Sequence, residues 1–207
     1  MKKPQFSKKE AIKFGFAVAK SHILFFIGLL IIVVLVSAIT SALKNEVQKV
    51  ALASLALTLI QYVVNTVVAM GIIKISLEFV AKRKPKILDI VYYKPIVRYA
   101  LASIASGFIA FVGFILLIIP GVILAVRLQF ATYLIVDKNL GPIEALKKSW
   151  NITRDNTWNL FFFGLLIGLI NILGAICLVV GLFVTVPLGM VATASVYRKL
   201  LLQSESA

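Results

Sequence analysis

Long apolar runs separated by short basic segments set the rhythm of this chain. Residues 99–136 carry a single charged side chain, Arg127, and residues 156–197 carry none. A helix crosses the hydrocarbon core of a bilayer with roughly 20 residues at about 1.5 Å of rise each. Each stretch is about twice that length, so each reads as a hairpin of two spanning helices. Two earlier runs, Ile23–Leu43 and Val50–Ile73, suit one span each. Pro120-Gly121 is the expected turn of the third run, because proline lacks a backbone donor and glycine tolerates a sharp bend. The break in the fourth is expected between Gly174 and Gly181, with Pro187 kinking the last helix. The pattern predicts an all-α, polytopic membrane protein with six transmembrane helices at about 22–43, 50–80, 97–119, 122–137, 157–175 and 180–200, all in a single domain, 1–207.

The segments ahead of the hairpins have a different periodicity. Ser7-Lys8-Lys9-Glu10 has the spacing of a capping box. The helix it opens places Ala11, Phe14 and Val18 on one face and Lys9, Lys13 and Lys20 on the other, with Phe16 breaking the polar side. Lys86 to Tyr93 is a shorter version. In Gly141 to Arg154, Pro142 suits a first helical position, and Ile143, Leu146 and Trp150 share a face opposite Glu144, Lys147, Lys148 and Asn151. These segments, including 1–21, read as amphipathic helices on the cytoplasmic surface of the membrane.

Charge sets the orientation. Of the 22 lysines and arginines, 18 fall in the N-terminal segment, in 82–98, in 138–154 and at Arg198-Lys199, whereas the alternate loops hold only Lys44 and Lys49. Cytoplasmic loops carry the basic excess. Both termini are therefore expected in the cytoplasm, the span count is even, and the chain belongs in the plasma membrane. The formal charge of +14 fits anionic headgroups rather than nucleic acid, because the basic residues flank apolar runs. With 61% hydrophobic and 14% charged residues, the chain has no room for a separate soluble domain. Val36-Ser37-Ala38 resembles a cleavage site, but the run from Ile23 to Leu43 is too long for a typical signal peptide and reads as a retained helix. Cys177, the only cysteine, reads as a small buried hydrophobe, and His22 as an interface residue.

A shift of 61 residues aligns Gly113 with Gly174, Ile115 with Ile176, Leu117 with Leu178, and Ala131-Thr132 with Ala192-Thr193. This weak repeat suggests three modules, each a surface helix followed by a membrane hairpin.

Pro120-Gly121-Val122-Ile123-Leu124-Ala125-Val126-Arg127, then Ala145-Leu146-Lys147-Lys148-Ser149-Trp150-Asn151-Ile152-Thr153, and Pro187 ahead of Val196-Tyr197-Arg198-Lys199-Leu200 occur in that order. Together they resemble the membrane domain attached to some glycerophosphoryl diester phosphodiesterases, which also occurs alone in uncharacterised prokaryotic integral membrane proteins. The similarity covers roughly 120–201. It implies a six-helix membrane module and does not carry over the phosphodiesterase reaction, which belongs to a separate barrel of about 250 residues.

Arg127 is the leading candidate for a ligand-binding residue. Counted from a turn at Pro120-Gly121, it lies roughly 9 Å deep by helical rise, reached from the outer leaflet. An intramembrane arginine faces a partner or a cavity, or snorkels to the headgroups. Asn171 lies at a similar depth on the fifth helix and Gln61 nearer the outer side of the second, and an arginine fork with amide neighbours would hold a phosphate or carboxylate. Glu78 is expected to pair with Lys74, four residues earlier. Gly164 and Gly168 form a GxxxG motif, and Ser103 and Gly107 a similar pair, expected to pack within the bundle, with dimerisation as the alternative. One histidine and no acidic cluster leave no metal, cofactor or hydrolase site. The expected function is that of an integral membrane protein without catalytic activity, organising membrane lipid, anionic lipid included, or a membrane protein partner, a homo-oligomer among them. The alternative is a small transporter or permease-like protein.

Overall fold

The computed structural model describes residues 6–47, 51–177 and 181–205. Lys2, Lys3, Lys49 and Val50, and the middle of the Gly174–Gly181 turn, lie outside them. The described residues form α1 (Lys8–Ser21), α2 (Ile23–Val47), α3 (Ala51–Val80), α4 (Ile96–Leu116), α5 (Ile118–Leu128), α6 (Ala131–Lys138), α7 (Pro142–Thr153), α8 (Thr157–Ile176) and α9 (Leu182–Glu205). Short 3₁₀ turns sit at Ile87–Ile90 and Arg154–Asn156, and no strand occurs among the described residues. Among the described residues five segments are long and apolar enough to cross a membrane: Ile23–Ala42, Ser54–Val80, Ile96–Leu116, Ile118–Lys138 and Pro142–Ile176. The last helix, α9, is not among them. Its polar residues include Thr185, Thr193, Ser195, Tyr197, Arg198 and Lys199, and eleven of its residues from Pro187 to Leu201 are buried. It is the central helix of the bundle.

The third hairpin does not turn at Pro120-Gly121. The chain reverses at Leu117, whose extended backbone (φ −164°, ψ 152°) separates α4 from α5. Pro120 then occupies the first turn of α5, where a missing N–H leaves no intrahelical bond unmade. Gly121 serves packing instead. A Cβ on Gly113 would lie 2.9 Å from the Gly121 Cα. Across the fourth hairpin, a Cβ on Gly181 would lie 2.7 Å from the Gly174 Cα. Both hairpins thus close on a glycine pair, and Gly113 and Gly174 are the residues related by the 61-residue shift.

The short helices seat in a cycle. The first, α1, packs on α9; the Ile87–Ile90 turn packs on α3; α7 packs on α5 and α6. Each therefore covers the last helix of the preceding module, and the first covers the third. Close backbone approach marks every seat. A Cβ on Gly15 would lie 2.5 Å from the Leu188 carbonyl oxygen, and one on Gly71 would run into the backbone of Ile90. Ser149 donates to the carbonyl oxygen of Arg127 at 2.7 Å. Leu188 and Arg127 are again 61 residues apart. Lipid tails give apolar helices little reason to associate, so such close contacts and interhelical hydrogen bonds supply the cohesion.

The seating faces differ from those expected. α1 buries Ala11, Gly15 and Ala19, one residue per turn, and leaves Phe14 and Val18 half-buried. Ser7 caps it by accepting the Glu10 N–H at 3.3 Å, but the Glu10 carboxylate pairs with Lys199 at 2.8 Å rather than closing the box. α7 buries Ala145, Ser149, Ile152 and Thr153. Its apolar flank stays outside: Ile143 is 70% exposed, and Leu146 and Trp150 are half-buried. Cys177 is exposed, not buried. Gly107, Gly164 and Gly168 have nothing within 4 Å of an added Cβ. Among the described residues the GxxxG face therefore does not pack within the bundle; it borders an apolar groove between α5 and α8.

Candidate functional site

The fourth predicted span is broken. α5 ends at Leu128 and α6 begins at Ala131. In a continuous helix the carbonyls of Val126 and Arg127 would accept main-chain N–H groups four residues on. At the break, side chains replace those donors. Gln129 Nε2 donates to the Val126 carbonyl at 2.9 Å. Ser149 and Thr153 of α7 donate to the Arg127 carbonyl at 2.7 and 3.1 Å. Hence two polar residues of α7 face inward: they satisfy a backbone acceptor that would otherwise be orphaned in an apolar setting.

The break also aims the Arg127 side chain at α7. Its guanidinium carbon lies 4.3 Å from the centre of the Trp150 ring. Its Nε donates to Thr157 Oγ1 at 3.2 Å, and that hydroxyl reaches the Thr153 and Arg154 carbonyls, both at 3.2 Å. Stacking and one hydrogen bond hold the plane of the fork. Among the described residues the two terminal amino groups of Arg127 hydrogen-bond to nothing. Trp150 also lines a cavity of about 430 Å³, together with Leu128, Leu146, Lys147 and Asn151. A planar cation with unused donors suits an oxyanion, and a lysine and an amide lie on the same helix as the Trp150 it stacks on.

The amides expected beside Arg127 are elsewhere. Thr157, which touches the guanidinium, opens α8. Asn171 lies 14 residues further along that helix, about 21 Å away by helical rise. It sits near Gly189 of α9, with its Oδ1 buried and unpaired. Gln61 is a half-buried residue of α3, and no hydrogen bond joins it to Arg127 or Asn171 among the described residues. Arg127 therefore belongs with the basic segments 138–154, and not with the hairpin ends. The nine-ångström depth followed from a turn at Pro120-Gly121, which the observed turn at Leu117 displaces.

A second polar region lies where α3, α6 and α9 converge. A cavity of about 290 Å³ is lined by Lys74, Glu78, Arg83, Tyr92, Asp137 and Arg198, among others. Lys74 does not pair with Glu78. Its ammonium bonds Asp89 at 2.9 Å and lies 4.8 Å from the centre of the Tyr92 ring. The hydrogen bond from Lys74, aided by the Lys86 N–H, holds the Asp89 carboxyl below the usual carboxylate range. On the facing side Asp137 accepts from the Tyr197 hydroxyl at 2.9 Å and from Arg198 Nη1 at 3.1 Å. Composition gave no notice of this cluster. The 61-residue shift does relate Asp137 to Arg198, so the repeat places opposite charges at matching positions on neighbouring helices.

These features define an all-helical protein whose helix lengths and composition are those of a membrane-embedded chain. It belongs to the family described as Domain of unknown function (DUF7847), whose model matches residues 16–204. No curated protein and no solved structure matches the chain.

Proposed function

We propose that the chain is a six-span, non-catalytic membrane module that engages anionic lipid from the cytoplasmic leaflet, with Arg127 as the phosphate ligand. On this reading α9 is the sixth span, both termini are cytoplasmic, and the basic end of the bundle lies among the inner-leaflet headgroups. The observation that carries it is the Arg127 fork, fixed by Trp150 and Thr157 yet with two amino groups unpaired among the described residues; Trp150 also lines a cavity with Lys147 and Asn151. Exposed apolar side chains on the short elements support it further: Phe16 on α1, Leu88 in the 3₁₀ turn and Ile143 on α7, each next to lysines, as in helices that dip into a headgroup layer. The residue pattern over 120–201 supports kinship with the membrane module of glycerophosphoryl diester phosphodiesterases, acting as an accessory rather than as the hydrolase.

The test is lipid retention. The protein is purified from membranes containing phosphatidylglycerol and phosphatidylcholine, and bound lipid is read by native mass spectrometry. Wild type is expected to retain phosphatidylglycerol selectively, and Arg127→Leu to lose that selectivity. Equal retention of both lipids by wild type would contradict the reading. A permease-like role is the second reading, and the charged cavity between α3, α6 and α9 favours it.

A further inference from the structure

The charged cavity at the meeting of α3, α6 and α9 differs from the Arg127 site in one respect: it offers both signs of charge. We propose that it binds a phosphoethanolamine group, with the phosphate at Arg198 and Lys74 and the primary ammonium at Glu78.

The assignment follows from which groups are already used. Asp137 accepts from both Tyr197 and Arg198, and Asp89 from both Lys74 and the Lys86 N–H. Both carboxylates are committed to holding cations in place. Glu78 is different. Its nearest cation, Arg83 Nη1, stands 3.9 Å away on a side chain that is 74% exposed, beyond hydrogen-bond range. Among the described residues the Glu78 carboxylate accepts no hydrogen bond. It is the wall's available acceptor, and a primary ammonium is a compact donor of the kind a carboxylate takes. Across the cavity, Arg198 uses Nη1 on Asp137 and keeps Nε and Nη2 unbonded among the described residues. Lys74 keeps donors beyond the one on Asp89. Asp137 and Tyr197 orient the arginine, and Asp89 and Tyr92 orient the lysine, so the cations are held before a ligand arrives.

The ligand class then follows. A lone phosphate would leave the Glu78 carboxylate facing a like charge. A lone amine would leave the unused donors of Arg198 and Lys74 without an acceptor. A zwitterion meets both walls, and phosphate exploits the arginine fork. A cavity of about 290 Å³ is at the small end of ligand sites, roughly 300–1,000 Å³, as suits a headgroup without its acyl chains. The source of the group, a phosphatidylethanolamine headgroup or free phosphoethanolamine, is separated by experiment.

Binding is measured by thermal shift and isothermal titration on the full-length protein in detergent, using phosphoethanolamine, inorganic phosphate, ethanolamine and phosphocholine. Phosphoethanolamine is expected to bind about tenfold or more tightly than the other three, because each lacks one charge or, for phosphocholine, the N–H donors. Glu78→Gln should remove that preference while leaving phosphate binding in place. Arg198→Lys should weaken phosphate and phosphoethanolamine alike. Nanodiscs of phosphatidylethanolamine then assign the source: protection by the lipid alone makes the ligand a headgroup, and binding of the free compound makes it a solute. Equal affinity for phosphate and phosphoethanolamine, or no binding of either the lipid or the free compound, overturns the proposal with wild-type protein alone. A preference that survives Glu78→Gln overturns the assignment of the ammonium site. None of these outcomes depends on Arg127.

Discussion

The guanidinium of Arg127 stacks on Trp150 at 4.3 Å, while the Arg127 carbonyl accepts the hydroxyls of Ser149 and Thr153. One residue thus joins the broken span α5–α6 to α7 through both its side chain and its backbone. A charged residue in a span costs up to about 2.5–3.5 kcal/mol on insertion scales, the full value holding at the span's centre. A cation over an aromatic face returns about 0.5–2 kcal/mol of that. The span breaks where the arginine needs α7, and α7 supplies the donors that the break requires.

Loss of those donors should be felt as stability. Thr153→Val alone leaves Ser149 on the Arg127 carbonyl, so its effect is expected to be small. Ser149→Ala with Thr153→Val leaves a buried acceptor unmet and should cost about 1–3 kcal/mol. The double loss should exceed the sum of the single ones, because each hydroxyl backs up the other. Unfolding of the purified protein in detergent measures all three, and simple additivity would refute the shared-acceptor account.

Glycine substitutions should divide sharply. Gly71→Ala puts a methyl group into the backbone of Ile90, and Gly15→Ala puts one 2.5 Å from the Leu188 carbonyl oxygen. Both should lower thermal stability markedly, Gly71→Ala more so because neither backbone can yield. Gly164→Ala and Gly168→Ala meet open space and should be neutral or stabilising by up to about 1 kcal/mol through helix propensity. Destabilisation at Gly164 or Gly168 would show that this face is packed in the assembled protein.

Much of the fold was legible because its signals are local. Charge-free runs of the right length locate α2, α3, α4 and α8 to within a few residues. The turn at Leu117 was not legible, since a proline at position three of a helix is as compatible as one at a turn, and Gly121 gives no sign that it is there for Gly113. The buried face of α7 was not legible for a related reason. Ser149 and Thr153 face in because a broken helix presents a carbonyl to them. Arg127 stood out as a lone charge, but its partners lie on an element 20-odd residues away. The cavity of Lys74, Glu78, Asp137 and Arg198 depends on three helices meeting, which no single stretch of sequence announces.

The Asp89–Lys74 pair makes a pH prediction. The folded carboxyl is held below its ordinary value of 3.8, so its stabilising contribution is present above about that pH. It is lost as pH falls through the lowered folded value. Asp89→Asn removes the contribution at neutral pH. The difference in thermal stability between wild type and Asp89→Asn should therefore be constant from pH 7 to about pH 4 and close below it. A difference that already closes near pH 6 would exclude Asp89 as its source.

Topology follows from the distribution of basic residues, 18 of 22 on alternate segments. Reporter fusions after Leu117 and Gly181 should report the outer side. Fusions after Lys84, after Asn139 and at the C-terminus should report the cytoplasm. An external C-terminus would make α9 something other than a sixth span.

The central claim, that Arg127 is a lipid-phosphate ligand, is tested most directly by the thermal stability of wild type, Arg127→Lys and Arg127→Leu in detergent, each with and without phosphatidylglycerol. A lysine keeps the charge but loses the planar fork that Trp150 and Thr157 hold. The account predicts that the lipid raises the melting temperature of wild type, raises that of Arg127→Lys by less, and leaves that of Arg127→Leu unchanged. An equal rise in all three proteins would contradict it and make Arg127 a purely structural strut between α5 and α7.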